Sequence, residues 1–355
     1  MIFRRSPYVA LRSIFRKSPS VRRSLNAGKW LWRYSITPTS LNLSGDARIL
    51  SANGKLSALE PLGKIKLDAK KGMEVFRTIK CLAYDESIEQ FQALEGSGFV
   101  TCHSIISVEK DDYLASNCLS FAFYTRSKAL LEQNPTLRKI EDTPENLLYS
   151  EGPAEATYKH DYHRERNVFI LNNCPSDSLL LIDGPLISGV KTVFTIQLND
   201  ELLERGVLPI FVVKNSTSNL VVDQTKELQG LFNSDLHWAN TILKERERTN
   251  FFKYTDDNNG KISKVFCYIK PFANHSPQRI ELHEETYYQF ESLMPQIMDI
   301  LLYLYMDQGP ETNVQVRPII IAEKYARETK KMINSRKIMK EANIQATMNQ
   351  TRGMF

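Results

Sequence analysis

Four carboxylates, Glu95, Glu165, Asp183 and Glu323, stand where a fold would present them to a ligand. Hard divalent cations such as Mg2+ and Mn2+ take oxygen ligands from several carboxylates at once. Two such ions close together activate water and stabilise the leaving oxygen in phosphodiester cleavage. Asp183 is the best placed of the four. It follows the unbroken apolar run Leu179 to Ile182 and precedes Gly184 and Pro185, so a buried strand hands it to a turn. In open α/β sheets ligands bind just past the carboxyl ends of the strands. Taken singly, each acid also reads as a turn residue or a solvated helix face, the commoner fate of such residues.

Other chemistries find no support. His160, His163 and Glu165 lie close together in KHDYHRERN, but the spacing is not the H-E-x-x-H of a zinc hydrolase and no third-ligand motif accompanies it. That segment is expected to be a solvated helix face. There is no G-x-x-x-x-G-K-[ST] loop and no G-x-S-x-G elbow, which excludes a P-loop motor and a serine hydrolase of that type.

The elements that must position these acids alternate between strand and helix. Phe91 to Lys110 reads as strand, turn, strand, with Glu95 at the break, and Cys118 to Tyr124 as a further strand. A helix is expected around Met73 to Leu82, and one or two more between Pro144 and Leu171, carrying Glu165. After the central strand come a short helix over Asn199 to Gly206, a buried strand over Leu208 to Val213 ending in Lys214, and a helical stretch over Asn219 to Arg246. A turn at DDNNGK, a strand over Val265 to Lys270, a long helix over His283 to Leu304 and a last helix over Pro318 to Asn343 complete the pattern. Strands alternating with helices describe an α/β domain built on a mixed sheet.

The chain has 355 residues, 42% of them apolar, enough for a sizeable core in one large domain. No run of about 18 apolar residues occurs, so no membrane span is expected. Five scattered cysteines, with no C-x-x-C pair, argue for buried thiols and a reducing compartment such as the cytoplasm. Residues 1–45 carry nine Lys or Arg and no acid, so the net +5 of the whole chain becomes negative once this arm is set aside. Such an arm suits contact with DNA phosphates or an acidic partner. A mitochondrial transit peptide is its other reading.

The order of LEGS, a helical glutamate, LLIDGPL, PIFVVKN, CYIKP with a later QRIEL, and PIIIAEKYA resembles the NurA family over Phe91 to Arg327. The resemblance implies an RNase H-like mixed central sheet flanked by helices. It also implies a Mn2+- or Mg2+-dependent DNA nuclease that forms a homodimer and works with a HerA-type hexameric ATPase in DNA end resection. In these terms residues 1–45 are a basic N-terminal arm, 46–335 the nuclease domain and 336–355 a polar tail. By the resemblance Asp183, Glu165 and Lys214 are catalytic, and Glu95, Glu165, Asp183 and Glu323 hold metal. Lys214 and Arg279 face the nucleic acid. Three positions depart from the family pattern: Glu95 stands where it has an aspartate before Gly-Ser, Pro185 where it has Ser, and Glu323 where it has His after Ala. The alternative expectation is therefore a NurA-like subunit impaired in cleavage that docks on the ATPase ring and guides DNA.

Overall fold

A computed structural model describes residues 55–60, 63–109, 112–133, 147–150, 152–189, 191–214, 216–256, 262–310, 314–341 and 344–345. The basic arm of residues 1–45 lies outside them. They belong to the compact unit Ala47–Phe355.

Five strands form the centre. β3 (Lys80–Gln92), β4 (Ser97–Glu109) and β5 (Asp112–Thr125) make consecutive antiparallel pairs. On its other side β3 pairs in parallel with β7 (Ser178–Asp183), which pairs in parallel with β8 (Leu208–Val213). The spatial order β5-β4-β3-β7-β8 is a three-stranded meander followed by two strands parallel to its first member, the RNase H-like arrangement. β8 then pairs antiparallel with β12 (Gln278–His283), and β11 (Ile262–Lys270), β10 (Phe252–Asp256) and β1 (Leu56–Ala58) extend that side. β6 (Leu147–Tyr149) borders β5, while β2 (Lys64–Lys66) and β9 (Glu247–Thr249) form a short branch on β11.

Alternation along the strands sends residues to two helical layers. Cys81, Ala83, Leu179, Leu181, Ile210 and Val212 face α7 (Met294–Gln308) and α8 (Arg317–Lys330), meeting Leu301, Tyr305, Ile319 and Ala322. Leu82, Tyr84, Leu180, Ile182 and Phe211 face α3 (Ala154–Asn173) and α4 (Lys191–Glu204), meeting Phe169, Ile170, Leu198 and Leu202. β7 is covered on both sides: Leu180 and Leu181 are fully buried, each contributing roughly 1.5–3 kcal/mol by area burial. Among the described residues no helix is long and apolar enough to cross a membrane.

Several elements differ from the sequence reading, each for a local reason. The helix expected around Met73 to Leu82 is α1 (Ala69–Phe76) and stops early. Thr78 closes it by donating from both N–H and Oγ1 to the Val75 carbonyl, and Lys80 onward enters the sheet. The Asn219 to Arg246 stretch is mostly turns, with helix only in α5 (Asp235–Ile242). There the buried Asp235 carboxylate accepts the Val221 and Val222 N–H groups, diverting backbone donors that a helix would have used. The helix over His283 to Leu304 is split into α6 (Glu284–Gln289), a 3-10 turn (Glu291–Leu293) and α7, with Pro295 at the first turn of α7, where its missing N–H costs nothing. The last helix is broken between α8 and α9 (Ser335–Glu341). Within the stretch expected as a polar tail, Met339 of α9 and Ile344 pack on Phe91 and Phe123 at the β3–β4 hairpin end. The short helix ending at Gly206 is the last part of α4, and α2 (Lys128–Gln133) follows β5.

α1 reaches α7 through Gly72, where an added Cβ would lie 2.0 Å from the Asp299 carbonyl oxygen. Asp299 also accepts the Asp68 N–H at 2.8 Å, and Asp68 caps α1. Gly72→Ala should therefore cost about 1–3 kcal/mol through forced separation of two backbones, read as a lower urea midpoint with unchanged slope.

Candidate metal centre

The parallel register of β3 and β7 creates the centre. Tyr84 is opposite Ile182, so the next residues along, Asp85 and Asp183, come out side by side on strands about 4.8 Å apart. By alternation both follow Ala83 and Leu181 onto the α7–α8 face. Asp85 is 7% exposed, and its Oδ1 accepts the Glu86 N–H at 2.7 Å. β8 delivers Lys214 just past Val213, and its Nζ lies 3.0 Å from Asp183 Oδ2. The same ammonium is 3.5 Å from Glu323 Oε2, which α8 supplies next to the buried Ala322. The other Glu323 oxygen pairs with Arg327, one turn further on. Asp183 Oδ1 accepts a hydrogen bond of 3.2 Å from Gln315 Nε2, in the segment leading into α8.

Two carboxylates thus lie at ion-pair distance from one largely buried lysine, with the buried Asp85 beside Asp183. Burial, and then repulsion from Asp183, push the Asp85 carboxyl up to about 8. The Asp183 carboxyl is raised as well. Burial is the main cause and Glu323 and Glu86 add to it, while Lys214 opposes them. This is excess negative potential made only of hard oxygen donors, the set that suits Mg2+ or Mn2+.

The sequence-derived residues are divided by this geometry. Asp183, Lys214 and Glu323 come together as expected. Glu95 does not join them. It sits in the β3–β4 turn, where its Oε2 accepts the Gln345 N–H at 3.1 Å. Seven residues of extended strand, about 23 Å at about 3.3 Å per residue, separate Asp85 from the end of β3 before that turn. Glu165 lies on α3, whose Phe169 and Ile170 pack on the opposite face of the sheet. There its Oε2 accepts from Ser120 Oγ at 3.1 Å and stands 3.7 Å from His103 Nε2, too far for a hydrogen bond. None of its described contacts is with Asp85 or Asp183. The expected solvated face of KHDYHRERN is only half right: His160 is exposed, but His163 is fully buried beside Tyr162 and Phe194. A separate group, Asp200, His283 and Glu285, has ligand atoms within 4.8 Å of one another at the surface.

Arg279 is buried rather than offered to a phosphate. Its Nε is 2.8 Å from Glu281 Oε1, and its NH1 donates to Ser216 Oγ at 2.5 Å and to Ser218 Oγ. Glu281, fully buried, also holds Lys264 Nζ at 2.6 Å and accepts the Leu186 N–H at 2.9 Å. Burial disfavours charge on Glu281, but Lys264 and Arg279 outweigh it and keep the carboxyl below the usual range. One ionic cluster therefore fastens both loops that flank the centre, the one after Asp183 and the one after Lys214.

Asp85 is the residue the sequence reading missed, and a signal was present. Cys81 to Tyr84 followed by Asp85 repeats the form of Leu179 to Ile182 followed by Asp183: four apolar residues, then an acid.

The fold and centre define an RNase H-like α/β domain with a carboxylate site at the ends of its parallel strands. Residues 153–328, just under half of the chain, match the NurA domain. No curated protein matches the chain. Among solved structures, the NurA nuclease from Sulfolobus solfataricus is 12% identical, with a TM-score of 0.42, covering 93% of this chain and 98% of its own. A NurA structure with manganese is 9% identical (TM-score 0.32, 72% of this chain and 88% of its own). Ciona intestinalis endonuclease V, in complex with a 24mer DNA containing an inosine followed by a ribo-adenosine, is 12% identical (TM-score 0.34, 72% of this chain and 87% of its own).

Two measurements probe this geometry. A carboxyl raised in the folded state supplies stability below its unfolded value, near 4, and loses it as pH rises towards 8. Asp85→Asn carries no such loss, so its metal-free urea midpoint should match the parent near pH 4 and exceed it increasingly up to about pH 8. Glu281→Ala leaves two buried cations uncompensated and should cost about 3–5 kcal/mol in the same assay.

Proposed function

We propose that this chain is a metal-dependent nuclease that hydrolyses phosphodiester bonds in DNA. The observation that carries the reading is the juxtaposition of Asp85 and Asp183 by the β3–β7 register, with Glu323 closing the centre and Lys214 between them. The NurA domain over residues 153–328 supports it. Asp85, Asp183 and Glu323 would hold Mn2+ or Mg2+. When bound, such an ion lowers the pKa of water and stabilises charge on the leaving oxygen.

The chain's own residues prepare that chemistry. Asp85, whose carboxyl burial and repulsion from Asp183 push up to about 8, would give up its proton when a cation binds, and burial raises the Asp183 carboxyl in the same direction. Lys214, at ion-pair distance from two of the three carboxylates, supplies a fixed positive charge for a phosphate oxygen. Pro185 and the Leu186 N–H bonded to Glu281 hold the strand exit, so Asp183 keeps its place without help from the substrate. Glu95, Glu165 and Arg279 have no catalytic part in this scheme.

The match to the NurA domain suggests the wider setting, a homodimer that acts with a HerA-type hexameric ATPase in DNA end processing, and the five unpaired cysteines suit the cytoplasm. The acid-free arm of residues 1–45 suits contact with DNA or with that partner.

Cleavage of linear and single-stranded DNA with Mn2+, alone and with the ATPase, tests the assignment. Asp85→Asn and Asp183→Asn should each lose at least about 100-fold in rate, the scale for removing one electrostatic group from an active site. Glu95→Ala should cleave as the parent does. Equal activity in all four proteins, or none in the parent under any condition, would overturn the nuclease reading and leave a DNA-guiding subunit.

A further inference from the structure

Gln315 stands out among the buried polar groups. Its side chain is fully buried, yet its Oε1 has no hydrogen-bond partner among the described residues. Its Nε2 is not idle: it donates to Asp183 Oδ1 at 3.2 Å. Buried polar atoms are satisfied in the great majority of cases, so an orphan oxygen on a residue already bonded to a carboxylate of the proposed metal centre asks for a ligand. Turning the amide over would not resolve it. The oxygen would then face the Asp183 carboxylate, exchanging a hydrogen bond for repulsion between acceptors.

The local structure holds this amide in place. Its neighbour Val314 accepts a hydrogen bond from Gln278, which in turn accepts from Tyr305 at 2.6 Å. Val316, on the other side, is fully buried at the head of α8. The two oxygens of Asp183 consequently have different partners, a neutral donor on Oδ1 and the Lys214 ammonium on Oδ2. A neutral donor fixes orientation without altering the charge available to a cation, as hydrogen-bond partners of metal-ligating carboxylates do. A carboxamide oxygen is itself a hard donor and a good acceptor for a hydrated divalent ion.

We propose that Gln315 is a positioning residue of the metal centre. Its Nε2 sets the orientation of Asp183, and its Oε1 is kept for the hydrated cation. This rests on the nuclease reading, but it is tested by metal uptake rather than by cleavage. Mn2+ affinity is measured by calorimetry, and melting temperature with and without Mn2+, on the full chain and on two variants. Gln315→Met retains length and removes both head atoms; Mn2+ should bind it about 10–100-fold more weakly than the parent. Gln315→Glu retains an acceptor but places a second carboxylate against Asp183, so its rise in melting temperature on adding Mn2+ should exceed the parent's. The parent's rise should in turn exceed that of Gln315→Met. Equal Mn2+ affinity and equal rises in all three proteins would overturn the role of Gln315 alone. A parent that takes up no Mn2+ would overturn the nuclease reading beneath it. Should Gln315→Met fail to fold, Gln315→Glu against the parent still decides: a larger rise supports the role, an equal one removes it.

Discussion

Everything at this centre depends on the parallel pairing of β3 with β7. Because side chains alternate along a strand, a slip of one residue in that pairing would send Asp85 to the α3 side while Asp183 stayed on the α8 side. The register is held by burial on both faces at once. Cys81, Ala83, Leu179 and Leu181 fill one layer, and Leu82, Tyr84, Leu180 and Ile182 fill the other. Neither strand can shift without exposing apolar surface on one face and burying carboxylates on the other. The hydrophobic core therefore chooses which acids meet.

A second constraint comes from the buried ions around Glu281. Loops that leave parallel strands are usually the most variable part of an α/β domain. Here the loop after Asp183 is tied through Leu186, and the loop after Lys214 through Ser216 and Ser218, to the same Glu281–Arg279 pair on β12. Rigidity at the centre is thus borrowed from a third strand that contributes nothing to it chemically. The desolvation of such a cluster is costly, and a well-packed apolar replacement could be equally stable. Its return is the fixed position of two loops.

Legibility in the sequence followed burial. Leu179 to Ile182 and Leu208 to Val213 are short apolar runs between turn residues, and both became strands with the expected acid or lysine at their ends. Cys81 to Tyr84 has the same form but begins four residues after a helix, and periodicity alone cannot separate a buried strand from the end of a buried helix. That ambiguity hid Asp85 and made Glu95, next to Gly96 and Ser97, the more attractive acid. Glu165 failed for a different reason. Its position on a helix was read correctly, but which face of the sheet that helix covers is decided by Phe169 and Ile170 in three dimensions. Arg279 was read as facing the nucleic acid because nothing in the sequence marks Ser216 and Ser218, 63 and 61 residues earlier, as the groups that enclose it together with Glu281. Gln315 left no trace at all, since its importance lies in one atom's want of a partner.

Lys214 has a consequence for how the protein comes into being. Small metal-built domains often cannot fold until their ion arrives, because the ligands repel one another. Here the chain brings its own cation to the cluster, at 3.0 Å from Asp183 and 3.5 Å from Glu323. A tethered ammonium partly neutralises these acids without any ion, so in the proposed nuclease folding would not have to wait for metal. Such a chain would fold unarmed, and the supply of divalent ions rather than the folding machinery would decide when it cuts.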